Sequence, residues 1–332
     1  MEYTFLGRTG LKVSRLCLGT MNFGPNTDEK ESFRIMDCAL DHGINFFDTA
    51  NMYGGRNGGK RGWTEEILGR WFAQGGKRRE KVVLATKVFE DMENEEDGPN
   101  GEPGLSAFKI RRHLEASLRR MQTDHVELYY MHNPAPHATW DELWGAFERH
   151  VNAGQIDYIC ASNFAGYQLV AGQAEAEKRH FFGIAANQSK YNLLSRLPEL
   201  ELIPAAMALG MGFLCWSPLQ GGMLSGGLLK KVSSGQRSLK YAENLSPERM
   251  KLLQDYHDLC LEYGQDEATV SMAWLLSRPG VTAPLVGPRT AEQLEDSLKA
   301  LEFRIPADLE EKLDRLFPGP GAPAPKAYMM NR

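Results

Sequence analysis

Residues 107–132 read AFKIRRHLEASLRRMQTDHVELYYMH: a long amphipathic stretch, Ala107–Gln122, then a short apolar run, His125–His132, that ends on a polar residue. A helical period that switches within a few residues to a β-rich run is one half of a strand–helix–strand unit. The other half precedes it as Val82–Val88, in which VVLATK ends on Lys87. The same alternation extends both ways. Upstream lie the apolar runs Ser14–Thr20 and Asn45–Ala50, and downstream lie Ile156–Asn163, Ile184–Ser189, Gly212–Pro218 and Val281–Gly287. Helical patterns fall at Asp28–Gly43, Trp63–Gln74, Thr139–Gly154, Tyr167–Arg179 and Glu201–Gly210, then at Pro247–Gly264, Glu267–Ser277 and Thr290–Leu301. Thr139 and Thr290 stand where helices open, and Gly43 and Gly154 where they close. Eight strand–helix repeats with short connections predict a parallel sheet, and eight is the number that closes as a barrel. A doubly wound sheet is the competitor, but its GxGxxG after the first strand is absent. The expected fold class is therefore α/β, a (β/α)8 TIM barrel spanning 1–332 as a single domain. An N-terminal β-hairpin, Tyr3–Val13 turning at Arg8–Gly10, is placed to plug its floor.

Composition narrows the function. The 332 residues are 42% hydrophobic and 24% charged, which is ordinary for a globular chain. A barrel of this class runs to about 250 residues and grows by insertion, so the length requires no second domain. A net charge of -5 argues against a nucleic-acid partner, which calls for a basic patch. No apolar stretch approaches the ~20 residues that span a bilayer, which predicts no membrane partner. MEYTFLGRTG lacks the basic start and apolar core of a signal peptide. Cys17, Cys38, Cys160, Cys215 and Cys260 are odd in number, widely spaced and form no CxxC pair, so they read as free thiols in a reducing compartment. The expected location is cytoplasmic.

Three segments exceed what connections need: the acidic Phe89–Ser106 (FEDMENEEDGPNGEPGLS), the Gly-, Ser- and Lys-rich Gly221–Ser246, and the Pro/Gly-rich tail from Phe317. Loops after strands line the mouth of a barrel, so the first two are candidate long loops at the C-terminal face that act as lids. Plain surface loops are the competing reading.

The polar residues fall where a core would reject them. Successive strands end in Asp48, with Tyr53 in the following turn, then in Lys87, His132, Ser162-Asn163, Gln188, Trp216-Ser217 and Gly287. In a parallel barrel these ends meet on one face, where such folds do chemistry. Each has a bland explanation when taken singly. Lys87 can snorkel, Asp48 can cap a turn, His132 can be a satisfied core histidine, and Tyr53 can pack under a loop. Together the four suit general acid chemistry at a carbonyl. An ammonium about 4 Å from a phenol favours the phenolate by up to about 4 kcal/mol at an effective dielectric near 20, with desolvation opposing part of it. Asp48 supplies the counter-charge to Lys87, and His132 donates a hydrogen bond that orients the substrate oxygen. No residue is a convincing nucleophile, and no HExxH or other tight ligand spacing predicts a metal. A tetrad that handles only protons needs a hydride donor from elsewhere. Asn163 and Gln188 suit a carboxamide, and Trp216 suits a flat ring. Arg289, beside a helix N-terminus, suits a phosphate, though an Arg there also serves as a solvated cap charge.

Over nearly the whole chain the sequence resembles the aldo-keto reductases. The resemblance is carried by GINFFDTANMYG (43–54), LATKV (84–88), LYYMH (128–132), ASNF (161–164), NQSKYNLL (187–194), WSPLQGG (216–222) and VGPRTAEQLEDSL (286–298). It implies a (β/α)8 barrel, NADP(H) as cofactor and reversible reduction of a small-molecule aldehyde or ketone to an alcohol. It implies Asp48, Tyr53, Lys87 and His132 as catalytic residues, with Tyr53 as proton donor. It further implies Ser162, Asn163 and Gln188 on the carboxamide, Trp216 on the nicotinamide, Arg289 on the adenosine 2′-phosphate and Gln293 near the adenine. Gly19, Thr20, Met21, Asp48, Ser217, Pro218, Leu219, Gly221, Gly287 and Ser297 complete the cofactor contacts it implies. Two positions depart from the pattern. Ser225-Gly226-Gly227-Leu228 replaces a frequent Thr-Gly-Lys-Tyr, so the phosphate lysine is missing or supplied by Lys230, Lys231 or Arg237. Ser297 stands where many relatives carry Asn. The long form is similar to bacterial reductases and potassium-channel β-subunits, some of which form rings, so a homo-oligomer is compatible with it. Two alternatives stay open: an NADPH-binding sensor subunit with little turnover, and a Schiff-base aldolase using Lys87. The candidate pocket residues Met21, Phe23, Met52, Phe89, Asn133 and Tyr328–Met330 suggest an adaptable apolar pocket and name no substrate.

Overall fold

The structure, a computed structural model, describes residues 1–55, 58–99, 101–229, 245–324 and 326. Two short strands, β1 (Tyr3–Phe5) and β2 (Lys12–Ser14), pair antiparallel as the hairpin. Eight parallel strands follow and close into a barrel: β3 (Cys17–Gly19), β4 (Phe46–Asp48), β5 (Val83–Val88), β6 (Val126–Met131), β7 (Ile156–Ser162), β8 (Ile184–Lys190), β9 (Gly212–Trp216) and β10 (Val281–Val286). Helices α1 (Glu29–Asp41), α2 (Trp63–Phe72), α3 (Ala107–Met121), α4 (Trp140–Asn152), α5 (Gly166–Lys178) and α6 (Leu202–Ala208) connect the successive strands β3 to β9. Helices α7 (Pro247–Glu262) and α8 (Glu267–Ser277) lie between β9 and β10, and α9 (Ala291–Leu298) and α10 (Ala307–Leu316) close the chain. The barrel is the expected one.

Two details differ from the sequence reading. The run Ser14–Thr20 is split: Lys12–Ser14 belongs to the hairpin and only Cys17–Gly19 to the barrel. Between the two, the Arg15 guanidinium donates to the carbonyls of Val281, Thr282 and Leu276 at 2.6–2.9 Å. Helix α10 is the second difference. Its buried stripe is only Leu309 and Leu313, too sparse for a periodicity count to register.

The period of two along each strand decides what reaches the site. On β5, Leu84 and Val88 pack outward beneath the helices, while Val83 and Ala85 face the barrel interior. Lys87 continues the interior set at the last position before the mouth. By the same alternation Phe46 and Asp48 share the interior of β4, with Phe47 in the outer core. The hairpin closes the other end, where Leu6 and Val13 are buried among the interior residues Phe46, Ala85, Leu128 and Leu214. Gly7 makes this seating possible: at φ +54, a Cβ there would lie 2.4 Å from Gly210 O and Gly212 N. Helix entries use ordinary caps, with Ser106, Thr139 and Thr290 accepting from the backbone N–H of Lys109, Glu142 and Gln293.

Candidate active site

At the C-terminal mouth of the barrel Lys87 is fully buried and Asp48 is 1% exposed. The Lys87 ammonium donates to Asp48 Oδ1, and to the carbonyl of Thr49 at 2.7 Å. The second Asp48 oxygen accepts from Gln188 Nε2 at 2.8 Å. The main-chain carbonyl of Asp48 accepts both the N–H and the hydroxyl of Thr20, at 3.0 and 2.9 Å. Burial works against the charge on Lys87, but Asp48 and then Tyr53 outweigh it, so its pKa lies above that of an ordinary lysine. Burial holds the Asp48 carboxyl above the usual carboxylate range, against the pull of Lys87 and Gln188. Deeper in the barrel, burial pushes the thiols of Cys17 and Cys160 far up, which keeps them protonated and poor nucleophiles.

The Lys87 Nζ sits 5.1 Å from the centre of the Tyr53 ring and 5.7 Å from that of Tyr130, so two aromatic faces flank the cation. The Tyr53 and His132 rings meet edge to face with centres 6.1 Å apart. Asp48, Tyr53, Lys87 and His132 are thus gathered in one place, from β4, the turn after it, β5 and the residue after β6. The turn is pinned from below: Thr49 N donates to Ala85 O at 2.8 Å, Asn51 N to Lys87 O at 3.3 Å and Tyr53 N to Ala50 O at 3.0 Å. Gly54, at φ +104, lets the chain leave Tyr53 past Lys60 and Trp63, where a Cβ would come within 2.6 Å of both.

The expected cofactor residues lie around the same mouth and are already engaged. Asn163, at φ +63, donates its amide to the carbonyl of His132, to Asn133 Oδ1 and to Ser162 Oγ, and accepts from Trp216 Nε1 at 2.9 Å. The Trp216 ring has the Lys190 ammonium 5.9 Å from its centre. Ser217 Oγ accepts from Gly221 N, and Asn22 Nδ2 donates to Gly287 O at 2.8 Å, linking the loops after β3 and β10. Gly19 closes β3 against Asp48, Met21 follows half-buried, and Pro218 is buried beside the half-buried Leu219. Arg289 N donates to Gln293 Oε1 at 2.9 Å, and Ser297 Oγ donates back to Gln293 O. Lys230, Lys231 and Arg237, most of Gly221–Ser246, and the tail residues Tyr328–Met330 lie outside the described residues.

Phe23 does not belong to the mouth. It is fully buried in the core between barrel and helices, and its carbonyl accepts from Thr64 Oγ1. Met21, Met52, Phe89 and Asn133 are half-buried.

Several site neighbours were missed in the sequence. Arg61, in the turn after Tyr53, pairs with Asp91 and with Glu93 at 2.8 Å. Asn51, two residues before Tyr53, and His113 are buried in contact, with Asn51 Nδ2 2.9 Å from His113 Nδ1. The available signal was a histidine three residues after Ile110 and one before Leu114, on the buried face of α3. The acidic segment after β5 is tethered throughout. Lys109 Nζ donates to Phe89 O and Glu102 O, Arg112 donates to the carbonyls of Glu95 and Glu96, and Arg120 pairs with Glu96. Among the described residues no cluster of three or more His, Cys, Asp or Glu could hold a metal, and no helix is long and apolar enough to cross a membrane.

Comparison with known proteins gives this geometry its context. Residues 15–317 match the model of the Aldo/keto reductase family. The oxidoreductase YrpG of Bacillus subtilis is 57% identical over 99% of both chains. An Arabidopsis thaliana protein named for a voltage-gated potassium channel β-subunit is 31% identical over 95% of both. Protein tas of Escherichia coli is 29% identical over 98% of this chain and all of its own.

Proposed function

Because the chain belongs to the Aldo/keto reductase family and is an oxidoreductase, we propose that it catalyses the reversible NADPH-dependent reduction of an aldehyde or ketone to an alcohol. One observation carries the reading: a buried lysine held charged by an aspartate, with its ammonium against the ring of Tyr53. Tyr53 donates the proton to the carbonyl oxygen. Lys87 stabilises the phenolate left behind, and Asp48 keeps Lys87 charged and in register. His132, edge-on to Tyr53, directs the substrate oxygen toward the hydroxyl.

The residues at the mouth fit a nicotinamide cofactor. Gln188 has its amide nitrogen occupied by Asp48, which leaves Oε1 to accept from a carboxamide NH2. Ser162 and Asn163 complete the carboxamide site, Trp216 offers a stacking face, and Arg289 at the start of α9 meets the 2′-phosphate, with Gln293 and Ser297 beside the adenine. When bound, the cofactor supplies the hydride.

The same lysine argues against an aldolase. Schiff-base chemistry needs a neutral amine, whereas Lys87 is charged and donates to two acceptors. Our reading places residues 1–332 in one barrel domain in the cytoplasm, in keeping with five cysteines that form no disulfide. A carbonyl panel followed by NADPH absorbance tests the reading. Oxidation of NADPH with several aldehydes or ketones is expected. Tight binding with no turnover across the panel would overturn it in favour of a sensor subunit.

A further inference from the structure

We propose that His113, packed against Asp97 of the acidic segment and bonded to Asn51, is a positioning residue that sets the turn carrying Tyr53. Three buried side chains from three separate parts of the chain meet. Asn51 lies two residues before Tyr53, His113 on α3, and Asp97 in the segment between β5 and α3. Asn51 and His113 are 0% and 1% exposed, and Asp97 is 7% exposed.

The chemistry of each group fixes its part. Both oxygens of Asp97 accept from Met92 N, at 2.8 and 2.9 Å, which locks the carboxylate in place. Its Oδ1 lies 3.3 Å from His113 Nε2, an electrostatic contact without hydrogen-bond geometry, and Nε2 has no hydrogen-bond partner among the described residues. An amide nitrogen only donates, so the Asn51 NH2 beside Nδ1 makes Nδ1 the acceptor and puts the proton of the neutral ring on Nε2, facing the Asp97 carboxylate. The bond from Asn51 Nδ2 to His113 Nδ1 is 2.9 Å long and joins the turn to α3. Burial, with Lys109 next, holds His113 at a pKa of about 4, against the pull of Asp97, so the neutral ring is the form present at neutral pH.

Asn51 is in turn fixed to the catalytic lysine, its main-chain N–H donating to the carbonyl of Lys87. The turn between Asp48 and Tyr53 is therefore held from both sides: by main-chain bonds on the barrel side, and by the Asn51–His113 bond, with Asp97 packed behind it, on the α3 side. A second link runs in parallel at the surface, where Arg61 from the same turn grips Asp91 and Glu93. By this account the acidic segment is a strut for Tyr53.

The proposal rests on Tyr53 as proton donor, and its test separates the two. His113→Gln keeps one acceptor and one donor, whereas His113→Leu keeps volume and neither. Hydride transfer is measured in single turnovers at saturating NADPH and carbonyl, with 4-deuterated NADPH as the isotopic check. Ionisation of Tyr53 is read at 295 nm as the difference from a Tyr53→Phe partner in each background, without cofactor. Displacing a reacting group by an ångström costs about 100-fold, so the leucine variant is expected to lose about 10- to 100-fold in hydride transfer, while NADPH affinity stays within about twofold. Its Tyr53 titration shifts, and the glutamine variant restores both. Hydride transfer within about twofold of wild type in His113→Leu, or an equal loss in His113→Gln, overturns the proposal. Should the leucine variant not fold, Asp97→Ala carries the test, with a loss of about 3- to 10-fold in kcat and an unchanged kcat overturning it. If the wild-type chain reduces no carbonyl, the proton-donor reading fails. The Tyr53 titration still decides on His113, and an identical titration in wild type and His113→Leu overturns the strut.

Discussion

Gln188 reaches across the mouth of the barrel to Asp48, its Nε2 donating to Oδ2 at 2.8 Å from the strand four places round an eight-strand ring. The bond ties the proposed carboxamide site to the proposed proton-handling site through one amide. Asp48 then has one oxygen for Lys87 and one for Gln188, which leaves no slack in where the lysine points.

Gln188→Leu is accordingly expected to act on both sites at once. Losing a donor to a buried carboxylate costs about 1–3 kcal/mol of stability. We expect a lower urea midpoint, weaker NADPH binding and a lower kcat together. A variant with weaker NADPH binding and unchanged kcat would show that the bond to Asp48 has no catalytic consequence.

Tyr53→Phe removes the hydroxyl and keeps the ring that faces Lys87 and His132. Loss of a general acid typically lowers turnover by about 10²- to 10⁴-fold, and NADPH affinity should be unchanged. Turnover within a few-fold of wild type would take Tyr53 out of the mechanism.

The barrel and the four residues of its mouth were legible in the sequence for a physical reason. Parallel strands buried on both faces read as continuous apolar runs, so a polar residue at the end of each run stands out, as Asp48, Lys87 and Gln188 do. Caps such as Thr139 and Thr290 mark helix starts by the same local logic. What was not legible is contact between distant segments. Asn51, His113 and Asp97 look like ordinary turn, helix and loop residues until α3 packs beside the turn. Phe23 reads as a pocket residue because nothing local distinguishes an aromatic that lines a mouth from one that fills the outer core.

Arg289 supplies the test of cofactor preference. If its guanidinium meets the 2′-phosphate, Arg289→Ala should reduce the NADPH-over-NADH ratio of kcat/KM by about one to two decades, the scale of a charge-assisted contact. An unchanged ratio means that the phosphate is read elsewhere, for which Lys230, Lys231 and Arg237 are the candidates by sequence.

His113 also makes stability depend on pH. Its pKa falls from an ordinary 6.5 in the unfolded chain to about 4 in the fold. Between these values the unfolded state binds more protons, so stability rises with pH through that window and is lost as the pH falls from about 6.5 to about 4. The contribution of this one group is of order 3 kcal/mol. Urea unfolding of wild type and His113→Gln at pH 7 and pH 4.5 isolates it, since glutamine does not titrate. The wild type should lose more stability than the variant on acidification, and equal losses would show that the ring is protonated in the fold.

The acidic segment after β5 distinguishes a strut from a lid. Its sequence, rich in Glu, Asp, Gly and Pro, is that of a mobile loop, yet its partners are specific: Arg61, Lys109, Arg112, Arg120 and His113 engage it along its length. An exposed pair such as Arg61 with Glu93 contributes little resistance to opening. The buried ones differ. Met92 N is held by both oxygens of Asp97, and Lys109 reaches two carbonyls that bracket the segment, Phe89 O and Glu102 O. Opening the segment therefore exposes a buried carboxylate and ammonium along with the Met92 side chain, which is 2% exposed. A lid must open without its ligand and close over it, whereas a strut stays closed in both states. Amide hydrogen exchange at Met92 and Gly104 reads this directly. We expect slow exchange in the cofactor-free protein and no more than a twofold change with saturating NADPH. Fast exchange that slows by an order of magnitude on NADPH binding would make the segment a lid and remove the outer support assigned to Tyr53.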